Sequence, residues 1–141
     1  MKKLFGIAIM LVSIVSCEYL FQLENDEILK DKIVTGLSSQ SGKVDLAKIT
    51  DFEWDSLIIL GPYSQIEKIE EELNLNLSNI RQNGIQHSDS YDLIVFLKDK
   101  KSVNIVELGR AMSPGGNGRT VISKEKSTFL KGNDGTVRLL K

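Results

Sequence analysis

The sequence predicts an α+β fold: an antiparallel β-sheet of about five or six strands with two helices packed on it. Three observations carry that expectation. Apolar residues recur at helical spacing in two stretches of the first half, around 25–37 and 64–73. Short runs rich in Val, Ile, Leu and Phe follow, most of them after residue 90. Those late runs are joined by polar turns too short to hold a crossover helix, so successive strands must pair as hairpins. The 141-residue length suits one domain that buries its own core. The single Cys excludes an intrachain disulfide framework and a multi-Cys zinc site.

Taken in order, Asn25 is placed to cap a helix over 25–35, with Asp26 and Glu27 in its first turn, where the helix dipole favours acids. Leu29, Ile33 and Leu37 line one face, and Gly36 is the expected stop. The run 56–60 is apolar at both alternating positions, the pattern of a central strand covered on both faces. Gly61-Pro62 ends it. Ser64-Gln65-Ile66-Glu67 has the spacing of a capping box, in which the Ser hydroxyl and Glu carboxylate satisfy helix-start amides reciprocally. The helix it opens runs to about Leu73. The runs 91–98 and 102–108 read as a hairpin across Asp99-Lys100-Lys101. Short strands are expected at 120–122 and 128–130, and a last hairpin closes through Gly132-Asn133-Asp134-Gly135 into 136–140. Such hairpins imply a sheet with its helices on one face.

The first residues are of a different kind. Lys2 and Lys3 precede an uncharged apolar run, and Ser13 to Cys17 form a small-residue end, the layout of a secretory signal. The run is too short to cross a bilayer, which takes about 20 apolar residues. Ile14-Val15-Ser16-Cys17 resembles the bacterial lipobox. The resemblance implies cleavage before Cys17 and acylation of Cys17 with diacylglyceryl and fatty-acyl groups such as palmitate. Two or more chains anchor stably where one does not, because each buried CH₂ contributes about 0.8 kcal/mol. The expected organisation is a signal peptide over 1–16, a lipidated tether over 17–23 and one α+β domain over 24–141. Removal of 1–16 leaves 125 residues with 16 basic and 19 acidic side chains, a net charge of −3. That balance gives no electrostatic footprint for nucleic acid. The expected location is the extracytoplasmic side of a bacterial membrane, at the outer membrane or cell surface in a Gram-negative host. Glu18 departs from the Asp associated with inner-membrane retention in enteric bacteria.

Asp51-Phe52-Glu53-Trp54-Asp55, followed by the Gly-Pro-Tyr turn, a helix and the 91–108 hairpin, is similar to a family of small exported bacterial proteins over about residues 44–131. The resemblance implies an intact domain and brings no activity.

Candidate sites are few. The three acids around Trp54 lack the oxygen spacing of an EF-hand loop, and neighbouring positions on a strand point to opposite faces, so they read as solvated while Phe52 and Trp54 enter the core. His87, beside Ser88 and Asp89, reads as a polar loop residue; no Gly-x-Ser-x-Gly elbow is present. Gly115-Gly116-Asn117-Gly118 lacks the Lys of a phosphate-binding loop and reads as a connection, with Arg110 and Arg119 as its anion-facing groups. Glu70-Glu71-Glu72 reads as a solvated helix face, with an acidic docking patch as the sharper alternative. The expected function is therefore a non-catalytic, membrane-anchored interaction module for a protein partner, an envelope protein, toxin or effector. Cys17 is the lipidation site, and Trp54, Asp55, Tyr63, Arg110 and Arg119 are partner-binding candidates. No cofactor, metal or catalytic residue is expected. The alternatives are an accessory subunit of an envelope assembly or stress complex, and a hydrolase using the acids near Trp54 with His87.

Overall fold

The computed structural model describes residues 21–140; the expected signal peptide, Cys17 and the first part of the tether lie outside them. The elements run α1 (Glu27–Ser38), β1 (Lys43–Asp45), α2 (Leu46–Ile49), β2 (Ser56–Leu60), α3 (Ile66–Leu73), β3 (Tyr91–Lys98), β4 (Lys101–Gly109), β5 (Ile122–Ser123), β6 (Thr128–Lys131) and β7 (Val137–Leu139). Two 3-10 turns, Ser78–Ile80 and Gly84–His87, lie between α3 and β3. The fold is α+β. Among the described residues, seven strands divide between a four-stranded antiparallel sheet in the order β4-β3-β2-β5 and a three-stranded one in the order β1-β6-β7.

Strand β2 is central, as its two-sided apolarity requires. It pairs with β3 from Ser56–Leu97 to Leu60–Leu93 and on its other side with β5. Alternation along the strands then builds two cores. Leu57, Ile59, Ile94, Phe96, Val106 and Leu108 face one way, against Leu29, Ile33 and Leu37 of α1 and against Val44 and Phe129 of the smaller sheet. Ile58, Leu60, Leu93, Val95, Leu97 and Ile105 face the other way, against Ile66 and Ile69 of α3 and against Leu77, Ile80 and Ile85 of the connector. The expectation that both helices share one face is thereby corrected. Sequential hairpins fix the pairing of the strands, but a sheet apolar on both faces needs a cover on each, and the two helices are divided between them.

Local starts and stops also differ from the sequence expectation, for identifiable reasons. Helix α1 is capped by Asp26, whose carboxylate accepts from the Leu29 amide at 2.9 Å. Asn25 instead forms an isolated parallel bridge with Ile105. Gly36 lies inside the helix; a Cβ there would meet the Val44 side chain, so the glycine allows β1 to approach. The capping box does not form. Ser64 Oγ donates to the Gly61 carbonyl at 2.6 Å, and the N-cap is Gln65, without a side-chain bond. The β3–β4 turn places Asp99 at φ 48° and Lys100 at φ 66°, the left-handed pair of a tight turn that follows the strand twist.

The tether also differs from expectation. Gln22 Nε2 donates to the Ser78 carbonyl at 3.0 Å, and the Leu23 amide donates to the Asn79 carbonyl at 2.8 Å. Leu23 packs against the second core. Residues 22 and 23 therefore belong to the domain, because their polar groups and one apolar side chain find partners on it.

Candidate functional site

Two loops meet at the end of β2. The Gly61-Pro62-Tyr63 turn leaves the strand, and the 114–119 segment returns along the strand's outer edge. The contact is backbone to backbone: the Gly118 amide donates to the Ile59 carbonyl at 3.0 Å. It depends on glycine at two positions. A Cβ at Gly116 would collide with Ile59, and Gly118 combines φ +67° with Ile69 Cδ1 only 2.6 Å from where its Cβ would lie. The turn is fastened from the other side by the Tyr63 amide, which donates to the Ile85 carbonyl at 3.0 Å. Tyr63 adopts φ +59°, a left-handed conformation that an aromatic residue seldom takes.

The result is a cleft of about 230 Å³ lined by Tyr63, Ser64, Lys68, Glu72, Asn117 and Arg119, among others. Tyr63 is 60% exposed, so the side chain stands open to solvent while its backbone amide is held. Asn117 Oδ1 accepts from the Arg119 amide at 2.9 Å, which orders the backbone beneath the guanidinium. Lys68 reaches Glu72 at 3.9 Å, a loose pair with both side chains well exposed, so its ammonium remains open to another acceptor. An exposed aromatic beside two cations suits a polar or acidic protein surface, since Tyr and Arg are enriched among residues that dominate binding energy. On the other side of the glycine loop a second cleft, about 410 Å³, is lined by Ile59, Ile122 and Leu139.

Of the predicted partner-binding residues, the structure brings Tyr63 and Arg119 together. Arg110 is exposed in a 3-10 turn after β4, at the same end of the sheet, but it does not line the cleft. Asp55 lies at the opposite end, before β2. Its carboxylate accepts from the Asp99 amide at 2.9 Å and from Ser56 Oγ at 2.8 Å. The Asp99 amide, then the Ser56 hydroxyl, hold it below the usual carboxylate range. Trp54 is corrected outright as a surface candidate. It is 3% exposed, edge-on to Phe96 at 4.9 Å, with its indole N–H donated to Thr50 Oγ1 at 2.8 Å. Phe52 joins the same cluster at 5.3 Å from Phe96, as expected.

The acids near Trp54 do not gather with His87. Asp51, Glu53 and Asp55 are exposed before β2, whereas His87 ends the 3-10 turn that precedes β3, at the other end of the sheet. Among the described residues, no group of three or more His, Cys, Asp or Glu side chains is placed to hold a metal ion. Sequence reasoning missed Lys68 and Asn117. Lys68 offers one signal in retrospect, its place in the first turn of the helix that follows Tyr63. Asn117 offers another, an Asn between glycines, where a side-chain turn to the next backbone amides is favoured.

No family model, no curated protein and no solved structure matches this chain.

Proposed function

We propose that the protein is a bacterial lipoprotein, anchored through Cys17, whose domain is a non-catalytic interaction module for a protein partner outside the cytoplasm. The observation that carries this reading is Ile14-Val15-Ser16-Cys17 behind a charged and then apolar leader. The Tyr63–Arg119 cleft supports the second half of it. An aromatic and two cations stand open there on a rigid frame, and Ser64, the hydroxyl nearest them in sequence, is committed to the Gly61 carbonyl. The partner is an envelope protein, toxin or effector presenting carboxylates around an apolar or aromatic contact. No helix of the described residues is long and apolar enough to cross a membrane, so attachment in this reading rests on lipid.

Two measurements test it. Cells expressing the chain are labelled with a fatty-acid analogue. The wild type is expected to take up label and Cys17→Ser is not; equal labelling refutes the anchor. Separately, a photo-crosslinking residue replaces Gln65 at the cleft. A discrete crosslinked species is expected, reduced at least about tenfold by Arg119→Glu, in line with loss of a hot-spot cation. A species unaffected by Arg119→Glu and by Tyr63→Ala refutes the cleft as the binding surface.

A further inference from the structure

The fastening of residues 22–26 has a geometric consequence for how the domain sits on a membrane. These residues run beside the outer edge of β4. Asn25 bridges Ile105, the Asp26 amide donates to the Ile105 carbonyl at 3.0 Å, and the Glu107 amide donates to Asn25 Oδ1 at 2.7 Å. Both polar atoms of the Gln22 side-chain amide are held: Nε2 donates to the Ser78 carbonyl and Oε1 accepts from the Gln82 amide. Among the described residues, the first one held to the domain is Gln22, and it is held at the β4 edge, beside the Ser78–Ile80 turn.

From Cys17 to Gln22 the chain makes five residue steps. Fully extended, they span at most about 18 Å. A domain of this size is about 35 Å across, taking a radius of gyration of about 13 to 14 Å. A lipid on Cys17 cannot let such a body turn over, because the leash is about half the width of what it holds. The Tyr63–Arg119 cleft lies beyond the opposite edge of the same sheet, where Gly118 bonds to β2 on its β5 side. Edge strand β4 and edge strand β5 are three strand spacings apart, about 14 Å. The last residues of the leash are Tyr19, Leu20 and Phe21, and Phe21 is 71% exposed. Aromatic side chains of this kind favour the headgroup level of a bilayer.

We propose that the β4 edge and the Ser78–Gln82 segment are seated against the lipid surface, and that the Tyr63–Arg119 cleft is thereby held facing away from it. The seat rests on the lipid-anchor reading, and the occupant of the β4 side is the bilayer itself. Charge does not drive the contact. Arg81 on this side is paired with Glu70, and Lys101 is offset by Glu24 and Glu107. Tether length and the point of attachment set the orientation.

The test uses the full chain, extracted from cells and reconstituted in vesicles of phosphatidylethanolamine and phosphatidylglycerol that contain a headgroup-level nitroxide lipid. With Cys17 acylated, Gln82→Cys and Thr120→Cys each supply one free thiol for a fluorescent label on opposite edges. Both positions are exposed. Mass spectrometry of the N-terminal peptide is read first. On acylated protein, the label at 82 is expected to be quenched at least about twofold more than the label at 120. Twenty Gly/Ser residues inserted between Leu20 and Phe21 are expected to abolish the difference. Equal quenching on acylated protein overturns the seat and leaves the anchor standing. A difference that survives the insertion overturns the tether-length argument. An N-terminal peptide without fatty acid overturns the anchor, and the seat with it.

Discussion

Asp55 illustrates how much a single exposed side chain fixes here. It sits on the surface, yet its carboxylate holds the Asp99 amide in a turn whose two central residues are both left-handed. Its backbone carbonyl accepts from the Lys124 amide at 2.9 Å, which brings the Lys124 ammonium over the Trp54 ring at 5.1 Å. A carboxylate held below its ordinary pKa stabilises the fold fully above its unfolded-state value, near pH 4, and loses that contribution as the pH falls through the lower folded value. Asp134, held low by Thr136, acts with the same sign. Urea midpoints measured from pH 7 down to pH 2 should therefore fall for the wild type. They should fall less for Asp55→Asn, which keeps an acceptor oxygen and loses the charge. An identical fall in the two would show that Asp55 contributes nothing pH-dependent. Trp54, the residue just before it in the Asp51–Asp55 cluster, makes the opposite use of its place. An indole is a strong anchor when exposed, but here its ring fills a corner of the core and its N–H is satisfied within it.

At the scale of elements, the glycine loop matters more than its lack of regular structure suggests. Residues 114–119 carry Arg119 to Tyr63 only because Gly116 and Gly118 allow the loop to press on β2 and on α3. Gly118→Ala places a Cβ against Ile69 and Leu60 in a left-handed conformation, and should cost about 1 to 3 kcal/mol in denaturant unfolding. The crosslink from the cleft should weaken in the same variant; an unchanged midpoint would show that the loop yields freely. Elements with a local signal were legible in the sequence. The 56–60 run, the 91–108 hairpin and the Asn133-Asp134-Gly135 turn are written in consecutive residues. What was not legible depends on partners distant along the chain. The capping box failed because Ser64 had a nearer acceptor in Gly61. Strand β1, three residues long and paired with β6 far along the chain, gives no periodicity from which a second sheet might be inferred. The pairing of Tyr63 with Arg119 spans 56 positions and rests on close backbone approach, which residue patterns do not encode.

The whole molecule is a layered body in which one four-stranded sheet separates two apolar clusters, each roofed by its own helix. A sheet is vulnerable where its outermost strands offer unpaired amides and carbonyls to another chain. The edges that the long strands β4 and β2 would offer are both obstructed, and beyond β2 lies only the two-residue β5. On one side residues 25 and 26 take up Ile105 and Glu107, and Asn76 pairs with Lys101. On the other, β5 and then Gly118 occupy β2 in turn. The edges of the smaller sheet are three-residue strands, too short to template much. The segment that ties the domain to its N-terminus is thus also a guard rail against strand exchange between neighbours. Deletion of residues 21–25 from the soluble domain should raise light scattering on mild heating well before secondary structure is lost, and unaltered scattering would count against this role. If the proposed lipid anchor crowds copies of the chain in the plane of a membrane, where two dimensions raise the frequency of encounters, such a guard would keep the strands of neighbouring copies apart.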